Sequence, residues 1–227
     1  MFPYMIGSGS EGAYKRASGD TLETFADKDP GEMAANCGVN FNPDASVIII
    51  SSMGQKLEVK HPEGEIRFSN SEHRPIWPWR LVILNHLCRS GGEGLSGRLI
   101  TYRELENGRV YYPAFQRESV LPLARRFAGE VVEKIEKACL QLGAEMEGSA
   151  DICARLPFLP KFPVTVKIWL KDEELEGSAS ILFDSSANNF LHTEDIAAAG
   201  DIVARFLIKQ YDFMYGTLFS TFLYGTE

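Results

Sequence analysis

Residues 163–184 constrain the fold more than any other part of this chain. Pro163 to Leu170 puts Val164, Val166, Ile168 and Leu170 on one side and Thr165, Lys167 and Trp169 on the other. That period of two marks a strand with one buried face. A tip carrying Asp172, Glu173, Glu174 and Glu176 follows, and then a second apolar run that Asp184 closes. Two such runs predict an antiparallel hairpin, and a hairpin needs an apolar partner to be stable in water. Val120, Leu123, Phe127, Val131, Ile135, Cys139 and Leu142 recur at helical spacing and supply one. They predict a long helix over 120–142, stopped by Gly143, with Glu130–Lys134 and Glu133–Lys137 pairs on its outer face. Phe127 and Ile135 are expected to be buried between the helix and the hairpin.

The other elements follow from local signals. Residues 10–26 read as a helix, and Asp29-Pro30 starts a short one that Gly38 ends. Residues 47–51, 57–60 and 66–69 read as a three-stranded meander with breaks at Met53-Gly54-Gln55 and Pro62-Glu63-Gly64. Residues 76–88 form a mostly apolar and therefore central helix. Asn107-Gly108 suits the positive φ angles of a type I′ turn, so residues 98–105 and 109–112 are expected to pair as a hairpin. Thr193, followed by Glu194 and Asp195, is a natural N-cap for a helix reaching about Gln210. Hairpin-joined strands with helices between blocks give an α+β fold with a largely antiparallel sheet, as one domain over 1–227.

Composition narrows function by exclusion. A chain of 227 residues with a formal net charge of −8 and no basic stripe is not a nucleic-acid binder. Cys37, Cys88, Cys139 and Cys153 show no CxxC spacing and sit among apolar neighbours, as buried thiols do in a reducing compartment. No stretch reaches the length of a membrane span, and residues 1–9 lack the basic and apolar regions of a secretory leader. A cytoplasmic protein is expected. Gly92-Glu-Gly94-Leu-Ser-Gly97 matches GxGxxG by letter, but a helix enters it and a strand leaves. The phosphate site of that motif needs the reverse order, so the segment reads as a flexible connection.

Several weaker candidates remain. His86, within an apolar run, suits an axial ligand to a haem or corrinoid, a general base, or a core histidine bonded to a carbonyl. Trp77, Trp79, Trp169, Tyr111 and Tyr112 suit the wall of an apolar pocket or simply the core and its rim. Asp184, Ser186, Asn188 and Asp195 fall at positions 1, 3, 5 and 12 of a calcium-loop count, although Asn189 replaces the sixth-position glycine, Asp195 the bidentate glutamate, and a strand instead of a helix leads in. Capping of the following helix explains the same residues. Any hard cation is expected around Asp184, Asn188 and the hairpin tip at Asp172.

A family resemblance rests on Asp29-Pro30-Gly-Glu-Met-Ala-Ala with Cys37-Gly38, on Ile83-Leu-Asn-His86-Leu, and on Leu95 to Leu105 with Asn107-Gly108. It continues through Leu156-Pro to Pro163, Ile168 to Glu174, Ile181 to Asp184, and Leu191 with Glu194-Asp195. Over about residues 20–210 the chain resembles the uncharacterised family called domain of unknown function 3786, from anaerobic bacteria and archaea. The resemblance implies one cytoplasmic domain and an association with anaerobic, corrinoid or one-carbon metabolism; it implies no catalytic residue.

Two function classes follow. In the first the chain is a non-catalytic accessory protein that binds a partner or a tetrapyrrole-like cofactor through His86, Trp77 and Arg103. In the second it is an enzyme whose Arg103, Glu104, Asp172, Glu173 and Asp184 meet only in three dimensions. The tail 211–227 adds Phe213, Met214, Tyr215, Leu218, Phe219, Phe222, Leu223 and Tyr224, an apolar segment suited to a protein partner or a homodimer.

Overall fold

The computed structural model describes residues 1–7 and 11–216. Helix α1 (Glu11–Asp27) leads into α2 (Pro30–Cys37). The Asp29 carboxylate accepts the Glu32 N–H at 2.7 Å at the start of α2, and Gly38 closes it at φ 69°. Strands β1 (Asn40–Asn42), β2 (Val47–Ser52), β3 (Gln55–Lys60) and β4 (Glu65–Phe68) form an antiparallel sheet in sequence order. β1 is an addition to the expected meander. It is too short and polar to show a period in the sequence. Met53 and Gly54, both at positive φ, make the tight β2–β3 turn.

Helix α3 (Trp77–Arg89) then crosses the core, as its apolar composition implies. The second sheet has the order β5-β9-β8-β7-β6, with β5 (Leu99–Thr101), β6 (Glu145–Glu147), β7 (Ile152–Leu159), β8 (Phe162–Trp169) and β9 (Ser178–Asp184). The expected hairpin is β8–β9, antiparallel from Val164↔Phe183 to Trp169↔Ser178. β7 has no counterpart among the expected elements, and its last residues run into the proline-bearing stretch Pro157–Pro163. Pro157 is tolerated because a bulge falls between Leu156 and Leu159, where no ladder bond is needed. The sheets meet where Met53 N–H donates to the Pro157 carbonyl at 2.9 Å. The result is one α+β domain with a continuous core.

Two of the expected elements are corrected. The long helix is divided: α5 (Leu121–Phe127) and α6 (Val132–Gln141) are separated by Ala128 to Val131. The Lys171 N–H captures the Ala128 carbonyl at 2.8 Å, so the loop joining β8 and β9 takes an acceptor the helix would otherwise use. Gly129 and the extended Val131 complete the break. Phe127 and Ile135 are nevertheless both fully buried. The second correction concerns Asn107-Gly108. Only Asn107 has positive φ, and residues from Gly108 on form α4 (Gly108–Phe115) instead of a strand. Gly108 is required for another reason: a Cβ there would lie 1.9 Å from the Tyr102 carbonyl oxygen. Phe115 anchors α4 by stacking on Tyr102, a one-turn 3-10 segment (Tyr102–Glu104) below it, with centroids 4.4 Å apart. A π-helical turn at Gln116–Val120 joins α4 to α5.

The one-turn helix α7 (Ala187–Phe190) precedes α8 (Thr193–Tyr215), which is longer than expected. Its N-cap is His192 and not Thr193. The Thr193 hydroxyl is turned away to donate to the Glu106 carbonyl at 2.5 Å. Among the described residues, no helix is long and apolar enough to cross a membrane. Of the apolar tail, residues 217–227 lie outside the described part.

Candidate functional site

Three helix surfaces meet at the start of α8 and leave a cleft of about 560 Å³. α1 contributes Asp20, Thr21 and Thr24. Leu81, Asn85, Cys88 and Arg89 come from α3, and His192, Glu194 and Asp195 from the start of α8. The floor is a chain of side-chain bonds. Thr21 Oγ donates to Asn85 Oδ1 at 2.8 Å, and Asn85 Nδ2 donates to Asp195 Oδ1 at 2.7 Å. Two such bonds on a half-buried amide fix which way it points, so the Asp195 carboxylate is held in one orientation.

Asp195 has two duties in tension. As the third residue of α8 it sits at the helix N-terminus, whose N–H groups favour its charged form. Burial raises its pKa above the ordinary carboxylate value, against the lowering by Asn85 and His192. Its ionised form is therefore under-solvated, a state that a cation in the cleft relieves. The cleft's own cation is committed elsewhere. Arg89 donates through Nε and Nη2 to the Asn188 carbonyl, and its Nη1 lies 3.0 Å from His192 Nε2. Asp20, Glu194 and Asp195 thus give the open face a net negative character.

The residues singled out from the sequence are dispersed. Trp77 lines a groove with Tyr4, Ile6, Ile76 and Lys209. His86, on the same helix nine residues later, is fully buried, its ring tilted against Phe190 with centroids 6.0 Å apart. Burial lowers its pKa to about 4, opposed by the Pro160 carbonyl, so it is neutral at pH 7. Arg103 lies in a third place, over the Tyr112 ring at 3.9 Å. The other tryptophans do not join Trp77: Trp79 is core, donating to Ser52 Oγ at 2.9 Å, and Trp169 is exposed.

Asp184 is the last residue of β9 and Asp172 lies in the loop before its first, so a strand about 20 Å long separates them. Asp172 folds the tip by accepting the Glu174 and Leu175 N–H groups at 2.8 and 2.7 Å. Asp184 accepts from Ser96 N–H and Oγ, Gly97 N–H, and Ser186 N–H and Oγ, all within 2.9 Å. Burial alone would raise its pKa; the Ser186 and Ser96 bonds outweigh that and bring it to about 2. Asn188 is bonded to Glu106 N–H and to Thr193 Oγ. Among the described residues no three His, Cys, Asp or Glu side chains gather as a metal-ligand set. The GxGxxG segment is pinned, not flexible. Gly97 N–H binds Asp184 and the Gly92 carbonyl accepts Lys161 Nζ at 3.1 Å.

Sequence reasoning picked His86 where the cleft uses Asn85. One step along a helix turns a side chain by about 100°, so the neighbour of a core residue faces outward. A polar amide inside an apolar run was the available signal. Asp20 and Thr21 gave none, because only the packing of α1 on α3 brings them here.

One family profile matches residues 29–206, well over half of the chain. The chain belongs to the family described as Domain of unknown function (DUF3786). The match takes in Asn85, Arg89, His192, Glu194 and Asp195, but not Asp20, Thr21 or Thr24. No curated protein and no solved structure matches.

Proposed function

We propose that this DUF3786 chain is a non-catalytic binding protein whose cleft takes a small amine-bearing, cationic molecule. The observation that carries this reading is Asp195, a carboxylate under-solvated by burial yet fixed by Asn85 and Thr21 at the floor of an acid-rimmed cleft. An ammonium group there gains a charge-assisted bond without any reorganisation of the acceptor. The accessory class foreseen from the sequence is kept, with a ligand smaller than a tetrapyrrole, because Trp77, His86 and Arg103 do not face a common space. The enzyme alternative is disfavoured because Asp172, which folds the β8–β9 loop, and Asp184, the last residue of β9, lie a strand's length apart. Four unpaired thiols, three of them buried, support a cytoplasmic location.

The test is calorimetric titration with putrescine and spermidine, with glutarate as anionic control. Saturable binding of an amine, lost in Asp195→Asn and weakened in Asn85→Ala, is the expected result. Binding of glutarate alone, or amine binding unchanged in Asp195→Asn, would refute the reading.

A further inference from the structure

A second surface stands apart in charge. A groove of about 600 Å³ is lined by Thr101, Arg103, Glu104, Arg109, Tyr112 and Pro113, from the 3-10 segment and the first turns of α4. Several arginines of this acidic chain are tied to carboxylates, as in Arg67–Glu72, Arg117–Glu118, Arg155–Glu145 and Arg205–Asp201. Arg103 and Arg109 have no ion-pair partner among the described residues, although they share one groove. The nearest acid is already committed. Glu104 accepts the Thr101 N–H at 2.8 Å and its hydroxyl at 3.0 Å, and these two bonds lower its pKa. Arg103 is stacked over Tyr112 at 3.9 Å, which holds the plane of the guanidinium while leaving its N–H edge free. The N-terminal end of α4 lies beside it and favours negative charge.

We propose that Arg103, Arg109 and Tyr112 form an oxyanion-binding site for the phosphoryl or carboxylate group of a small molecule. Arg103 supplies an oriented fork and Arg109 the second positive charge, and a doubly charged anion fits two guanidinium groups better than a single one. Two unpaired like charges in one groove repel, and the anion removes that repulsion on binding. This surface is independent of the acid-rimmed cleft, and its probes have the opposite charge.

Full-length protein is titrated calorimetrically with pyrophosphate and, separately, with malonate at constant ionic strength. Saturable heat with either supports the site: pyrophosphate alone assigns a phosphoryl ligand and malonate alone a carboxylate. Arg103→Gln and Arg109→Gln are each expected to weaken binding about tenfold, the usual worth of a charge-assisted hydrogen bond. The exposed Arg125→Gln leaves it unchanged. If Arg103→Gln destabilises the fold by losing its ring contact, Arg109→Gln, which makes no such contact, carries the test. No saturable heat with either anion, or an equal loss in Arg125→Gln, would overturn the proposal.

Discussion

Asp184 shows at the scale of one residue how a candidate ligand becomes a structural staple. Its two oxygens collect five donors from the loop before β5 and the turn before α7. Asp184→Ala removes the shared acceptor of three half-buried N–H groups and two hydroxyls, and a loss of about 2 kcal/mol is expected in urea unfolding. The sign of its pH effect follows from a folded pKa near 2, below the ordinary value. Its contribution is complete above about pH 4 and is lost as pH falls through 2. Acid unfolding of Asp184→Asn should therefore lack the part of the transition in that window. Asp195 has the opposite sign, since its pKa is raised. A cation binds its ionised form, so amine affinity in the cleft should fall as pH drops through that raised pKa, which titrations at pH 7 and pH 4.5 will read. Asp195→Asn keeps the acceptor for Asn85 and should change stability by less than about 1 kcal/mol while abolishing amine binding.

At the scale of elements, the division between α5 and α6 matters most. The break turns Glu130 inward, where it accepts from Tyr211 and Arg126, while Arg126 also donates to Asp212 at 2.7 Å. Those bonds lower the Glu130 pKa and tie the broken helix to α8. The expected Glu130–Lys134 surface pair is thereby replaced, and Lys134 lies instead 5.4 Å from the Tyr215 ring. Phe127, fully buried just before the break, meets Tyr211 edge-on at 5.3 Å. Phe127→Ala should cost on the order of 3 kcal/mol, seen as a lower denaturant midpoint without a change in slope. Helical spacing made both halves legible in the sequence. The break was not, because the Lys171 N–H that enforces it comes from a loop some forty residues away.

The whole molecule is held by α3 and α8, which lie against each other and contribute many of the buried core residues. α8 reaches Tyr215, and Met214 packs against the core, so the apolar tail proper begins after Gly216. Leu218, Phe219, Phe222, Leu223 and Tyr224 bring five large apolar side chains into seven positions. Apolar side chains at that density along the chain favour self-association. Truncation after Gly216 is expected to lower the mass seen by light scattering while leaving the melting temperature unchanged. An unchanged mass would remove the homodimer from consideration.

By itself the sequence determined whatever depends on neighbours along the chain: the period-two hairpin of β8 and β9, the apolar helix α3, the capped α2, the meander and the α+β class. These are local regularities of backbone and side-chain direction, and they survive any tertiary arrangement that buries their apolar faces. The tertiary structure alone decided where a donor from one element meets an acceptor from another. It divided the helix at Ala128, added β7, made a helix after Asn107-Gly108, and closed Asp184 in a ring of N–H groups. It also drew Thr21, Asn85 and Asp195 into one hydrogen-bonded line. Long-range bonds of this kind leave no period in a sequence, because their partners are fixed only when separate helices and strands pack.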